Sequence, residues 1–86
     1  MTIEVNRSGE VVIVKPVGRL DAASAPEFDQ ECQAHVKAGC KTMIADLSEL
    51  TYVSSLGLRS FVSAGKELQA RGGGLMVSGM KGMVKE

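Results

Sequence analysis

A chain of 86 residues has room for one hydrophobic core, and 44% apolar with 23% charged residues is the balance of a folded domain rather than a disordered one. Ten basic and ten acidic side chains cancel, and aromatics are only 3% with no tryptophan, which argues against nucleic acid as a partner: neither a cationic surplus nor a stacking platform is present. Apolar runs no longer than Val11-Val12-Ile13-Val14 leave no segment to cross or insert into a membrane, and no leader precedes them, so the expected setting is cytoplasmic, with Cys32 and Cys40 as reduced thiols. Charge is uneven along the chain: residues 1–19 carry net +1, residues 20–50 net −4 and residues 51–86 net +3. This pattern reads either as solvated helix faces of opposite sign or as a surface that orients a protein partner.

The chain opens with Ile3 and Val5 alternating with polar residues, then the turn signal Ser8-Gly9, then the β-branched stretch Val11 to Val17. Together these predict a hairpin, with Pro16 marking an edge or an exit because it cannot donate a ladder hydrogen bond. Ser24-Ala25-Pro26-Glu27 predicts a helix start of the capping-box type, and Phe28, Cys32 and Val36 give that helix an apolar stripe that Gly39 ends. Thr42-Met43-Ile44-Ala45 has the look of a strand covered on both faces. After a polar loop, a second helix is signalled at Ser54 or Ser55, with Leu58, Phe61, Val62, Gly65 and Leu68 at helical spacing. Gly72-Gly73-Gly74 is a flexible turn, Leu75-Met76-Val77 a last short strand, and Met76, Met80 and Met83 read as core filler or tail packing. The order β-β-α-β-α-β is an α/β layer architecture filling one domain, residues 1–86.

Catalytic and metal motifs are weak. The one histidine, His35, flanks the apolar stripe with no GxSxG elbow in the chain, and Cys32, His35 and Cys40 match no zinc spacing. The glycine triplet precedes a strand, whereas a phosphate cradle leads into a helix. No catalytic residue, metal ligand or cofactor is therefore assigned. Asp46 to Ser60 (DLSELTYVSSLGLRS) is different, because two serines stand at the mouth of a helix after a buried strand. A hydroxyl there serves as a plain N-cap or as a phosphoacceptor whose phosphate the helix N-terminus tolerates, and the residues alone leave both readings open.

Gly18-Arg19-Leu20-Asp21, Ala25-Pro26-Glu27-Phe28, Asp46-Leu47-Ser48 and Tyr52-Val53-Ser54-Ser55-Leu56-Gly57-Leu58, taken in order, resemble the STAS domain, within it most of all bacterial anti-sigma factor antagonists, from about Ile3 to Gly79. The resemblance implies a mixed sheet with helices on one face. It also implies partner switching: an anti-sigma factor serine kinase binds the unphosphorylated antagonist and phosphorylates it with ATP, and a PP2C-type phosphatase reverses the step. On that pattern Ser55 is the phosphoacceptor, and Asp21, Ser54, Leu56, Gly57 and Leu58 form the partner-binding switch loop. Ser54 stands where the pattern has Asp, and Leu56 where it has Ser or Thr. The resemblance further leads one to expect a helix, a strand and a last helix beyond Val77, so a C-terminally short domain is expected either to be trimmed or to be covered by another chain, as in a homodimer. The alternative within the same family is an accessory subunit of an ABC-type transport ATPase.

Overall fold

A computed structural model of the chain describes residues 2–79. They form β1 (Thr2–Ser8), β2 (Val11–Leu20), α1 (Ala25–Lys37), β3 (Thr42–Asp46), β4 (Leu50–Val53), α2 (Ser55–Ala70) and β5 (Gly74–Ser78). The strands make one mixed sheet organised by β2, the longest of them. β1 runs antiparallel along one side of β2, from Thr2 opposite Val17 to Ser8 opposite Val11. On the other side β3 runs parallel to it from Val11–Thr42 to Val14–Ala45, and β5 adds parallel to the outer side of β3.

Pro16 is neither at an edge nor at an exit. β2 continues through it to Leu20, and the reason lies in a change of partners: β3 pairs only as far as Val14, and β4 takes over at Gly18, opposite Leu50. Pro16 falls in the gap between the two ladders, where a missing N–H is tolerated. A register shift between Gly18 and Arg19, with Gly18 at φ 104°, turns the strand onto its second partner. The strand β4 is itself a departure from the sequence reading, which leaves Leu50–Val53 in a loop. Four residues with burial only at Leu50 and Val53 are too short for a periodic signal.

Both helices lie on one face of the sheet. Val12, Val14 and Pro16 of β2 and Met43 and Ala45 of β3 are buried beneath them, while the intervening Val11, Ile13, Lys15 and Ile44 are half-exposed on the other face. The expectation of a β3 strand covered on both faces therefore fails, since its alternation is that of a strand with one covered side. Met76 pairs with Ile44 on the bare face and is 61% exposed, so it does not fill the core, and Met80 and Met83 lie outside the described residues. In the helix layer the predicted stripe Phe28, Cys32 and Val36 is fully buried, as are Phe61, Ala64 and Leu68 of α2. Val62, in contrast, is 57% exposed and points away from the core. Phe28 and Phe61 lock the two helices edge to face, with ring centroids 5.2 Å apart and planes at 78°, worth about 0.5–1.5 kcal/mol beyond simple burial.

Gly39 (φ 103°) closes α1 as its position predicts, its N–H donating to the Val36 carbonyl. The capping box at the other end does not form. The Ser24 hydroxyl instead donates to the Arg19 carbonyl at 2.7 Å and accepts from the Asp21 N–H at 3.0 Å, binding the end of β2 to the entry of the helix. Gly72-Gly73-Gly74 is a fitted turn rather than a flexible one. The Gly73 N–H donates to the Leu68 carbonyl and the Gly74 N–H to the Lys41 carbonyl, and a Cβ on Gly73 would lie 1.7 Å from that same Lys41 oxygen. Gly73→Ala should accordingly lower the free energy of unfolding by about 2 kcal/mol or more, measured by urea denaturation. An unchanged midpoint would mean that the turn has slack.

Candidate functional site

The second helix begins where β2 and β4 end side by side. The Ser54 N–H donates to the Leu20 carbonyl at 2.8 Å, fixing the first turn of α2 to the last residue of β2. Leu20 and Val53, paired across the ladder, are wholly buried and form the floor. Gly57 rests on that floor: a Cβ there would come within 2.7 Å of Leu20 Cγ and 2.9 Å of Val53 Cγ2. A glycine three residues after the helix cap is thus required by the distance between helix and sheet.

The two serines have separate tasks. Ser54 is the N-cap, with extended backbone (φ −90°, ψ 172°), and its hydroxyl oxygen accepts from the Gly57 N–H at 3.3 Å. Ser55 is the first helical residue and is exposed. Leu56 beside it is also exposed (44%), Leu58 is half-buried against the core, and Gly57 is buried. Around Ser55 the helix surface forms a shallow groove with Leu58, Arg59, Val62, Ser63 and Lys66. Leu56 and Arg59 also face a second groove, shared with Ala22, Ala25, Pro26 and Asp29 at the start of α1. Arg59 and Lys66 were not singled out in the sequence. Their signal is their spacing of four and eleven from Ser55, which puts all three on one side of the helix.

Asp21 is near this surface but not in the groove. It follows Leu20 directly and lines a separate cleft with Arg19, Ser24 and Glu27. Its carboxylate accepts from the Ser24 N–H (3.2 Å) and the Ala23 N–H (3.1 Å) and lies 3.1 Å from the Ser24 hydroxyl, whose one proton it shares with the Arg19 carbonyl, with the Arg19 guanidinium 3.7 Å away. The Ser24 N–H, then its hydroxyl, hold the Asp21 carboxyl below its ordinary pKa against a small desolvation, with Ala23 and Arg19 adding to the effect. Arg19 in turn lies over the Tyr52 ring at 4.4 Å, and the Thr51 hydroxyl donates to the Gly18 carbonyl at 3.2 Å. Asp21 therefore holds the β2–α1 turn, and Arg19 beside it leans on Tyr52 of β4, the strand that leads into Ser54.

The remaining chemistry-bearing residues are occupied in the fold. His35 pairs with Glu31 one turn earlier at 2.9 Å. Cys32 and Cys40 are buried free thiols. Burial, followed by Asp29, Glu31 and Cys40, pushes Cys32 up to about 12, and burial raises Cys40 against the opposing charge of Arg7, so neither is a ready thiolate. Among the described residues no cluster of His, Cys, Asp and Glu could hold a metal ion, and no helix is long and apolar enough to cross a membrane.

The STAS domain profile matches residues 2–86. The chain belongs to the STAS domain family. BtrV of Bordetella bronchiseptica, assigned as an anti-sigma factor antagonist, is 29% identical over the whole of this chain and 74% of its own length. A Thermotoga maritima structure with the same assignment superposes with a TM-score of 0.88 at 20% identity, over 95% of this chain and 71% of that one. SpoIIAA, an anti-sigma factor antagonist, superposes at 0.78 in its unphosphorylated form (18% identity, 88% of this chain and 71% of that one) and at 0.75 in its phosphorylated form (18%, 90% and 70%). The mixed sheet with helices on one face is thus the STAS arrangement.

The division of labour at the helix start is directly testable. Ser54→Ala removes the cap and should cost about 1 kcal/mol of stability, whereas Ser55→Ala should fall within about 0.5 kcal/mol of the parent. Paired urea denaturation curves measure both. The reverse order would make Ser55 the cap.

Proposed function

We propose that the protein is an anti-sigma factor antagonist, a non-catalytic regulator of transcription that binds an anti-sigma factor serine kinase and is released when Ser55 is phosphorylated. One observation carries the reading. The cap is supplied by Ser54, so the exposed Ser55 hydroxyl has no part in holding α2, beside the exposed Leu56 and Val62. A side chain free of structural duty and flanked by apolar surface is suited to a partner's active site. The relatives support it, since SpoIIAA occurs in a phosphorylated and an unphosphorylated form on the same fold.

The physics of the switch follows from where the phosphate would sit. A helix N-terminus holds an anion at little cost, because its first-turn N–H groups and dipole offset the charge. Phosphorylation then leaves the domain folded and changes its surface by about −1.5 to −2 charges at pH 7. An unfavourable charge placed in an interface costs several kcal/mol, enough to dissolve a micromolar complex. A PP2C-type phosphatase would restore the binding form. Met76 and Val77, exposed on β5, support a homodimer contact near the C-terminal end, which sedimentation equilibrium would detect.

Incubation with the anti-sigma factor kinase of the same host and ATP, followed by peptide mass mapping, should place one phosphate on Ser55. In calorimetric titrations against that kinase, Ser55→Ala should bind as the parent does. Ser55→Asp should bind at least about tenfold more weakly while melting within a few degrees of it. Phosphate on Ser54 or Ser60 alone, or Ser55→Asp binding undiminished, defeats the proposal. Co-purification with a transport ATPase in place of the kinase would favour the accessory-subunit role.

A further inference from the structure

We infer that Arg59 is the internal counter-ion of phosphorylated Ser55: its guanidinium closes on the phosphate along one face of α2, so that modification withdraws this cation from the partner surface as it adds negative charge. The inference rests on Ser55 being the acceptor. Ser55 and Arg59 are four residues apart in one helix and line the same groove. Helical side chains lean toward the N-terminus, so the stem of Arg59 lies over the turn that carries Ser55. An anion four residues before a cation is also the favourable order for such a pair.

Arg59 is uncommitted. Lys15, Arg19 and Arg71 are paired with Glu4, Asp21 and Glu67, while Arg59 forms no ion pair among the described residues. The charged groups around it are few. Among the described residues that line the two grooves Asp29 of α1 is the one carboxylate, and it competes with a single charge against about −1.5 to −2 on a phosphate. Lys66 shares the groove but is eleven residues from Ser55, about 16 Å along the axis, and does not reach it. A guanidinium meets a phosphate with two parallel N–H bonds, a geometry that lysine lacks.

Total synthesis tests this without a kinase. The 86-residue chain can be joined at Cys40 with phosphoserine built in at position 55, and phosphorus NMR then follows its second ionisation with pH. A clamped dianion is favoured, so the midpoint should be lower in the parent than in Arg59→Gln, by about 0.15–0.4 of a pH unit. Arg59→Lys should lie between them and Lys66→Gln should match the parent. The Arg59 Nε–H resonance should move with the same midpoint as the phosphorus signal.

Equal midpoints for the parent and Arg59→Gln would overturn the inference. An equal rise in Lys66→Gln would overturn it too, since a diffuse field would then account for the effect. Should Arg59→Gln fail to fold, the Arg59 Nε–H signal of the parent decides, and its standing still through the titration counts against the clamp. With the phosphate installed by synthesis, failure here leaves the acceptor assignment intact. Failure of a kinase to modify Ser55 would defeat that assignment and not the geometry.

Discussion

The seat of α2 on the joined ends of β2 and β4 is the constraint from which the rest of the site follows. Three independent contacts meet there: the Ser54 N–H on the Leu20 carbonyl, the Ser54 hydroxyl oxygen on the Gly57 N–H, and the close approach of Gly57 to Leu20 and Val53. Leu20 and Val53 can provide a floor only because β2 changes partners past Pro16 and draws β4 alongside. Lengthening the β3–β4 connection, or widening Gly57, would lift the first turn and displace Ser55. The position of one exposed hydroxyl thus depends on a ladder of three residue pairs. Tight local packing defines such a site better than a long loop would.

Seen from that seat, Ser54 in place of the Asp that the resemblance leads one to expect is a conservative change in the fold. Asp and Ser are nearly equal as N-caps because each offers a side-chain oxygen to a first-turn N–H. Ser54 makes that bond, so the helix start keeps its geometry. What the substitution removes is a negative charge beside Ser55. In its absence the groove around the hydroxyl is cationic, with Arg59 and Lys66 and no carboxylate lining it.

How much of this was legible in the sequence depends on the range of the forces involved. The helices, the hairpin and the strands β3 and β5 were readable because their apolar periodicity and turn residues are local. The STAS resemblance, carried by short motifs in order, agreed with the sheet and the helix layer. Legibility failed where a partner distant in sequence decides the outcome. Pro16 read as an exit because the exchange of β3 for β4 is invisible from β2 alone. Ser24 read as a capping box because the Arg19 carbonyl that claims its hydroxyl lies on the preceding strand. Gly73 read as slack because Lys41, thirty-two residues earlier, is what it packs against. At the site, the residues could not decide between cap and acceptor. Backbone dihedrals and one hydrogen bond assign the cap to Ser54, and Arg59 gains meaning only once Ser55 is known to be helical.

Under the proposed reading, the uneven charge of the chain acquires a physical use. The acidic middle segment supplies α1, which carries Glu27, Asp29 and Glu31 against a single lysine, net −2. The basic last third supplies α2, with Arg59 and Lys66 against Glu67, net +1. Packed side by side, the two helices carry net charges of opposite sign, with Asp29 and Arg59 facing one groove between them. A partner with complementary charges opposite α1 and α2 would be favoured in one orientation. Under the proposed reading, a phosphate of about −1.5 to −2 on Ser55 takes α2 from +1 to a negative value. Both helices then share one sign. The switch is therefore better described as erasing a bipolar pattern than as adding repulsion at a point. It works without moving the backbone, because the charge is added to an exposed side chain that does not cap the helix.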